Sequence, residues 1–370
     1  MITQIVNPED PILGFVWGWI QKLSKHVKLL HVAAYHIENI RNIPKNTYLH
    51  ELSKRKSTKE KKEKKIVGFK GNKQFKIPRL IKFVYIWIQL SALILRLRLS
   101  KGINLVFAHM CPEFVLCAAP ICKIFRIPII LWYLHPHVDL KLKLAHSLVV
   151  KVVTGSVYGF RINSSKRVCI GHGIYIPSMK PRMETGVGRQ IILCVGRVSR
   201  IKNFETAIKA MARISQLHSD AELHIVGPVY DRKYFKDLQK LVDELSLEGR
   251  VRFIGPVAHS RIGQYYLQST LFVQTRAVSL DKAPLEAMAY NLCVLVCSRA
   301  FDDVLGDLKD YCYYTPRNYE ELARKIVRLL DDPDLRQTIG RKLRERVEKI
   351  HGLDAFVRKL TAVMENVVMD

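Results

Sequence analysis

Arg197 and Lys202 are the first side chains in this sequence whose positions suggest chemistry. They follow an apolar run at residues 191–195, and the turn between begins at Gly196. An apolar run that ends at a glycine is typical of a buried strand leading into a helix, where cations can bind phosphate. The alternative is a solvated positive turn without a ligand. We favour phosphate binding because a strand and a tight glycine precede both cations.

A carboxylate follows later in the chain, within the segment Lys-Ala-Pro-Leu-Glu-Ala-Met-Ala at residues 282–289. This pattern predicts that Glu286 lies at the opening of a helix, where the helix dipole alone could account for an acidic residue. A carboxylate on a strand-to-helix turn can also accept hydrogen bonds from ribose hydroxyls, while cations on a neighbouring turn bind a diphosphate. Together the two segments suit a nucleotide sugar.

The composition indicates a large globular protein with an anionic partner. The 370 residues are enough for two domains, and 48% hydrophobic with 25% charged residues is a globular composition. Sixty Lys and Arg against 33 Asp and Glu give a net charge of +27, which attracts nucleic acid, an acidic bilayer or a lipid diphosphate. The basic excess is spread through both halves of the chain, which disfavours nucleic-acid binding.

One apolar segment, at residues 83–95, ends at Arg96 and Arg98. It is shorter than the about 20 apolar residues that span a bilayer. We interpret it as a buried helix of the first domain, with a helix lying on an anionic membrane surface as the alternative. The charge run at residues 54–65 predicts a mobile loop. Because residues 1–10 lack a basic region followed by an apolar core, we expect a cytoplasmic protein.

Apolar runs alternate with helical patterns along the whole chain, which predicts an α/β protein with doubly wound sheets. The predicted strands are residues 29–34, 105–108, 129–133, 161–163 and 168–170 in the first half, and 190–195, 222–226, 250–254, 271–274 and 294–297 in the second. The helices predicted in the first half are residues 13–26, 79–99, 112–125 and 140–153. Residues 1–6 are a weak candidate for an additional first strand.

Prolines and glycines without a periodic pattern at residues 177–188 predict the linker between two domains. The predicted domains are therefore residues 1–178 and 179–345, each a doubly wound unit. A last amphipathic stretch at residues 335–368 is long enough to pack across both domains. We assign residues 346–370 to a helix that returns toward the first domain.

Further motifs carry a resemblance to a known family. They are Gly-His-Gly-Ile at residues 171–174, Val-Gly-Pro at 226–228, Val-Arg-Phe-Ile-Gly-Pro at 251–256 and Pro-Leu-Glu-Ala-Met-Ala at 284–289. With the segments above, they resemble glycosyltransferase family 4, within glycosyl transferases group 1. The resemblance implies the GT-B fold, in which two Rossmann-like domains face each other across a cleft. It also implies metal-independent transfer of a sugar from a nucleoside diphosphate, with retention at the anomeric carbon.

The resemblance also implies roles for individual residues of this sequence. The N-terminal domain would hold the acceptor, and the C-terminal domain would hold the donor. The residues implied for donor binding are Gly196, Arg197, Lys202, Asp281, Lys282, Leu285 and Glu286. Those implied for catalysis are His135, Arg197 and Lys202, and those on the acceptor side are Gly14 and His109. For His135 the alternative is a buried core histidine.

The sequence departs from the family at one position of the site. Members usually carry two glutamates in this segment; the second matches Glu286, but the first falls on Val278. In the family the first glutamate contacts hydroxyls of the donor sugar. Either Asp281 replaces it from a shifted loop, or the selection of the sugar differs. The departure also leaves open a catalytically inactive GT-B scaffold.

The sequence predicts the chemical class of the donor and of the acceptor, but not the individual molecules. We expect a UDP-, GDP- or ADP-sugar as donor, no metal, and a glycan, lipid-linked or glycoprotein acceptor, with peripheral contact to an anionic membrane as a further expectation. Asp332 and Asp334 have the spacing of a metal-binding motif. Because a proline and acidic residues are typical of a helix start, we predict a helix cap there instead.

Overall fold

A computed structural model describes residues 1–52, 79–178 and 189–369 of the chain. The charge run at residues 54–65 and most of the predicted linker at residues 177–188 lie outside the described residues. Two α/β domains follow one another, each built on a parallel sheet. The first sheet packs an apolar core against each face, and the second domain contains one large core.

The first domain is built on seven parallel strands. They are β1 Ile2–Val6, β2 Leu30–Ile37, β3 Thr47–Glu51, β4 Val106–His109, β5 Ile129–Trp132, β6 Lys151–Thr154 and β7 Arg167–Cys169. Their spatial order is β3-β2-β1-β4-β5-β6-β7. The helices are α1 Phe15–Leu23, α2 Arg79–Lys101, α3 Pro112–Ile124 and α4 Leu140–Leu148. The central strands β4 and β5 are buried throughout because helices cover both faces of the sheet.

The second domain is built on five parallel strands. They are β8 Gln190–Val195, β9 Ala221–Val226, β10 Val251–Gly255, β11 Leu271–Gln274 and β12 Cys293–Val296, in the order β10-β9-β8-β11-β12. The helices are α5 Glu205–Leu217, α6 Arg232–Glu244, α7 Ile262–Gln268, α8 Lys282–Ala289, α9 Asp302–Leu305, α10 Lys309–Cys312, α11 Tyr319–Asp331, α12 Pro333–His351 and α13 Leu353–Met369. The strand order reverses between β8 and β11, and ligands of doubly wound sheets bind at the carboxyl edge beside such a reversal.

The structure corrects the strand assignment of the first domain. Residues 1–6, a weak candidate in the sequence, contain the central strand β1. The helix predicted at residues 140–153 ends at Leu148. The last part of that range belongs to strand β6, which has 4 residues, so the helix prediction was wrong there. Residues 161–163 form no strand, and β3 was missed. Such short apolar runs have too little periodicity to separate a strand from a helix.

The chain crosses between the domains at two neighbouring places. Ile174 pairs with Gly352 in an isolated parallel bridge. The Ile174 amide donates to the His351 carbonyl at 2.7 Å, and the Leu353 amide donates to the Ile174 carbonyl at 2.7 Å. Helix α12 packs against α8, and α13 packs against α1 of the first domain. The last amphipathic stretch is therefore two helices, and the return begins at Gly352 rather than at residue 346.

Helix α2 has apolar side chains on opposite sides. The buried ones are Ile86, Leu90, Ile94 and Leu97. The exposed ones are Val84, Tyr85, Trp87, Ile88 and Leu99, which are 40 to 73% exposed. The prediction of a buried helix therefore holds for one side of α2. Among the helices in the described part of the chain, none is long and apolar enough to cross a membrane.

Candidate active site

A cavity of about 230 Å³ lies between the domains, at the carboxyl edge of the second sheet. The first domain lines it with Pro11, Ile12 and Phe15. The lining from the second domain includes Gly196, Arg197, Lys202, Arg276, Asp281, Lys282 and Glu286. The residues assigned to the donor from the sequence, except Leu285, therefore converge on one cavity.

The loop after β8 places two cations at this cavity. Gly196 leaves room for the side chain of Lys202, because a Cβ at that position would lie 2.9 Å from Lys202 Cε. The Arg197 guanidinium packs over the ring of Tyr230, with Cζ 5.0 Å from the ring centre. The Thr275 hydroxyl, from the loop after β11, donates to the Lys202 carbonyl. Neighbouring loops therefore fix the turn that carries both cations.

Asp281 binds the cations from the opposite side of the cavity. Its Oδ2 lies 2.5 Å from Lys202 Nζ, and its Oδ1 lies 3.4 Å from Arg276 Nη1. The Ser279 hydroxyl donates to Oδ1 at 2.6 Å. Burial alone would raise the pKa of the Asp281 carboxyl, but Lys202 and Arg276 outweigh burial and lower it. The carboxylate is ionised and ion-paired.

Arg276 is a cation of the site that the sequence analysis missed. It follows β11, and its side chain is 11% exposed. Its Nε is buried and has no hydrogen-bond partner among the described residues. The missed signal was a cation shortly after a buried strand, the same arrangement that identified Arg197. A guanidinium with an unused, inward donor is suited to an anionic ligand.

Both oxygens of the Glu286 carboxylate contact hydrogen-bonding partners. The Tyr266 hydroxyl donates to Oε2 at 2.9 Å, and His259 Nε2 lies 3.2 Å from Oε1. Burial alone would raise the pKa of Glu286, but the hydrogen bond and charge of His259, with the charge of Lys282, outweigh it and lower the pKa. An ionised carboxylate has further lone pairs, so Glu286 can still accept hydrogen bonds from ligand hydroxyls.

Lys282 extends from the second domain to the first. Its ammonium lies 3.6 Å from the centre of the Phe15 ring and 4.9 Å from that of Trp19. It also donates to the His172 carbonyl at 3.1 Å. Burial lowers the pKa of Lys282 to about 7. The side chain lines the cavity and links the two domains through a cation–π contact and a hydrogen bond.

Two assigned residues lie in the protein core instead of the cavity. Leu285 lies on the buried face of α8 and is fully buried, so its side chain cannot reach a ligand. His109 is 1% exposed, and its Nδ1 lies 3.0 Å from Thr3 Oγ1. Burial lowers the pKa of His109 to about 3, so the ring is neutral. The donor contact of Leu285 and the acceptor contact of His109 are therefore corrected to packing roles.

His135 and Gly14 lie near the cavity but are not among the residues that line it. His135 is exposed after β5, and its Nδ1 accepts from the His137 amide at 3.1 Å. Partial burial lowers the pKa of His135, and the charge of Arg276 contributes to this shift from the other domain. Gly14 permits the close approach of the domains, because a Cβ there would lie 2.6 Å from His259 Cβ. Both residues are placed at the cleft between the domains.

The acidic pair at the start of α12 is the predicted cap. Asp332 Oδ1 accepts a hydrogen bond from the Leu335 amide at 2.9 Å, which caps the helix. Asp334 lies in the first turn of the same helix. Within the described ranges, no group of three or more His, Cys, Asp or Glu is arranged to hold a metal ion.

The second domain matches a known family. The model of glycosyl transferases group 1 matches residues 178–346. Spore coat protein SA from Bacillus subtilis is 28% identical over 196 residues, which is 50% of this chain and 51% of that protein. The chain thus spans about half the length of this curated relative.

Solved structures match over the whole chain. A glycosyltransferase from Rickettsia africae superposes with a TM-score of 0.72 at 16% identity, covering 100% of this chain and 98% of its own. HepE from Anabaena, in complex with UDP-glucose, superposes with a TM-score of 0.70 at 15% identity, covering 99% of each chain. These likenesses confirm the predicted pair of Rossmann-like domains facing across a cleft. The chain has the GT-B fold, and its residues 178–346 match the model of the glycosyl transferases group 1 family.

Proposed function

We propose that this protein is a family 4-like retaining glycosyltransferase that moves a sugar from a nucleoside diphosphate to a glycan, lipid-linked or glycoprotein acceptor. The observation that carries the proposal is the convergence of Arg197, Lys202, Arg276 and Glu286 on one cavity between two Rossmann-like domains. The cations bind the diphosphate, and Glu286 accepts hydrogen bonds from ribose hydroxyls. A UDP-sugar is the first donor to test, because HepE of the same fold was solved with UDP-glucose.

The proposed chemistry depends on electrostatic stabilisation of the leaving group. When the bond between sugar and diphosphate breaks, positive charge develops on the sugar ring and negative charge on the departing oxygen. Arg197 and Lys202 are held by neighbouring side chains, so they stabilise that charge without reorganisation. Protein cations take the role of a metal in this proposal. The departing phosphate helps to deprotonate the acceptor on the same face of the sugar, which retains the anomeric configuration.

A thermal-shift screen tests the proposed donor class. We expect one of UDP, GDP and ADP, with its sugar, to raise the unfolding midpoint, since a ligand at 100 times its Kd contributes about 2.7 kcal/mol. In Glu286→Gln we expect that nucleotide to bind about tenfold more weakly, because one acceptor oxygen of the carboxylate becomes a donor group. Glu248→Gln, an exposed site on the same domain, is the control. If no nucleotide raises the unfolding midpoint of the wild type, the proposed function is wrong.

We further propose that the enzyme works at an anionic membrane surface. The exposed apolar side of α2, with Trp87 and Ile88, adjoins the basic Arg96 and Arg98 on the same helix. Aromatic and aliphatic groups enter the lipid interface while basic residues pair with headgroups. This surface belongs to the first domain, to which we assign the acceptor in this proposal, so a lipid-linked acceptor would approach from the membrane.

Vesicle sedimentation tests the membrane proposal. We expect the protein to sediment at low salt with vesicles that contain phosphatidylserine. The double variant Trp87→Glu, Ile88→Glu should reduce the bound fraction about tenfold or more, because charges replace two interfacial groups. Ile201→Glu, at a residue 54% exposed on the second domain, is the matched control. Equal sedimentation of both variants, or no sedimentation of the wild type, would contradict membrane attachment.

An inactive scaffold is the second candidate. Val278 stands where the family has its first glutamate; it is 46% exposed and is not among the residues that line the cavity. Both oxygens of Asp281 bind Lys202, Arg276 and Ser279, so Asp281 could replace the missing glutamate only through its remaining lone pairs. Nucleotide binding without release of sugar from any donor in the screen would favour this candidate.

A further inference from the structure

Asp281 places a carboxylate among the cations that the proposed function assigns to the diphosphate. Its side chain is 13% exposed, and it precedes α8 at the N-cap position. Within the described residues it forms no side-chain cap of that helix, although aspartate is a favoured capping residue. The carboxylate instead binds Lys202, Arg276 and Ser279. Its position therefore serves the cavity rather than the helix end.

The ion pairs with Asp281 leave the cations able to bind a ligand. Lys202 has three N–H donors, and its side-chain bond to Asp281 uses one of them. Arg276 Nε is unpartnered among the described residues. Arg197 packs over Tyr230 and lines the same cavity. A diphosphate can bind these groups while Asp281 stays in place.

The charges of this cluster can be counted. Arg197, Lys202 and Arg276 contribute three positive charges, and Asp281 removes one. Lys282 and Glu286 line the same cavity and have opposite charges when Lys282 is protonated. The diphosphate of a nucleotide sugar is esterified at both ends and carries two negative charges. The released nucleoside diphosphate has a terminal phosphate with a second pKa of about 6, so at neutral pH it carries nearly one more.

We propose that Asp281 is a specificity-determining residue that matches the charge of the cavity to the nucleotide-sugar donor and disfavours the nucleoside diphosphate product. This inference rests on the proposed function. The buried carboxylate repels each ligand in proportion to the ligand's charge, so the more highly charged product loses more affinity than the donor. Asp281 thereby favours product release and limits product inhibition.

The test compares the two ligands in Asp281→Asn, which keeps the shape of the side chain and removes its charge. Calorimetry measures Kd for UDP and UDP-glucose, GDP and GDP-mannose, and ADP and ADP-glucose, using the pair that the wild type binds. We expect the variant to bind the nucleotide sugar about tenfold and the nucleoside diphosphate about 30-fold more tightly, since the Coulomb gain scales with ligand charge. The ratio of the two affinities therefore shifts about threefold toward the product.

Two controls separate this effect from other causes. Asp237→Asn makes the same change of charge at an exposed residue of the second domain, paired with Arg200 at 2.6 Å. We expect both Kd values to stay at the wild-type level there, since the site lies outside the cavity. Asp281→Glu keeps the charge, so we expect the wild-type ratio of affinities.

Distinct results would overturn the inference. Equal tightening of both ligands in Asp281→Asn, or weaker binding of both, would show that Asp281 does not discriminate by charge. If that variant does not fold, Arg276→Gln provides a second test, because it removes one positive charge from the same cluster. We expect it to weaken binding of the nucleoside diphosphate product more than binding of the nucleotide-sugar donor. An unchanged ratio in Arg276→Gln would also overturn the inference. A wild type that binds none of the pairs removes the proposed function itself.

Discussion

Arg197→Ala and Lys202→Ala should each lower the rate of sugar transfer by about 10²–10³, because each removes a preorganised cation from the leaving oxygen. Arg197 lies against Tyr230, and Lys202 lies between Gly196 and Asp281, so water does not replace either side chain in the same geometry. The measurement is the steady-state release of nucleoside diphosphate from the donor that the thermal-shift screen identifies.

Arg200 provides the control for these two variants. It lies on the same turn as Lys202, but its guanidinium is 59% exposed and pairs with Asp237 and Asp231 outside the cavity. We expect Arg200→Ala to keep the rate within about twofold, since exposed ion pairs contribute little. If Arg200→Ala lowers the rate as much as Arg197→Ala, the effect comes from the basic surface and not from the proposed phosphate contact. Thermal unfolding of each variant verifies that it is folded.

Gly227→Ala should destabilise the second domain by about 2–4 kcal/mol and abolish nucleotide binding. Gly227 follows β9 with φ +147°, and a Cβ there would lie 2.1 Å from the Gly196 carbonyl oxygen. Because the neighbouring atom belongs to the backbone, the loop after β8 has to move away, and Arg197 moves with it. Denaturant unfolding measures the loss of stability, and the thermal-shift screen measures the loss of binding.

Gly249→Ala is the matched control for Gly227→Ala. It makes the same substitution in the same domain, but an added Cβ there meets no described atom within 4 Å. We expect its stability and nucleotide binding to stay at the wild-type level. A Gly227→Ala protein with unchanged unfolding and unchanged binding would show that the close approach of the two loops does not shape the cavity.

The convergence of the site could be predicted because its residues follow strands of one parallel sheet. Arg197 follows β8 and Glu286 follows β11, and the carboxyl ends of parallel strands meet at one edge. The buried runs of the second domain also have clear turn signals around them, so all five of its strands were found in the sequence. Local pattern is sufficient where each element is bounded by glycines and prolines.

The partners of the site could not be predicted, since they depend on tertiary packing. Tyr230 and Tyr266 reach the site from other elements, and no spacing in the sequence links them to Arg197 or Glu286. For His109 it was the direction of the side chain that the sequence did not predict. It ends a strand beside the cleft, but its side chain turns into the core beneath α1. Which way a residue at a strand end faces is decided by the layer that packs on it.

The bridge between Ile174 and Gly352 restricts how the cleft can open. Because the two crossings of the chain are hydrogen-bonded to each other, we expect the domains to rotate about a single axis that passes near them. Lys282 donates to His172 close to this axis and moves little. Ser260 donates to Glu9 on the other domain at 3.0 Å. We expect that bond to break first when the cleft opens, and a donor to enter from its side.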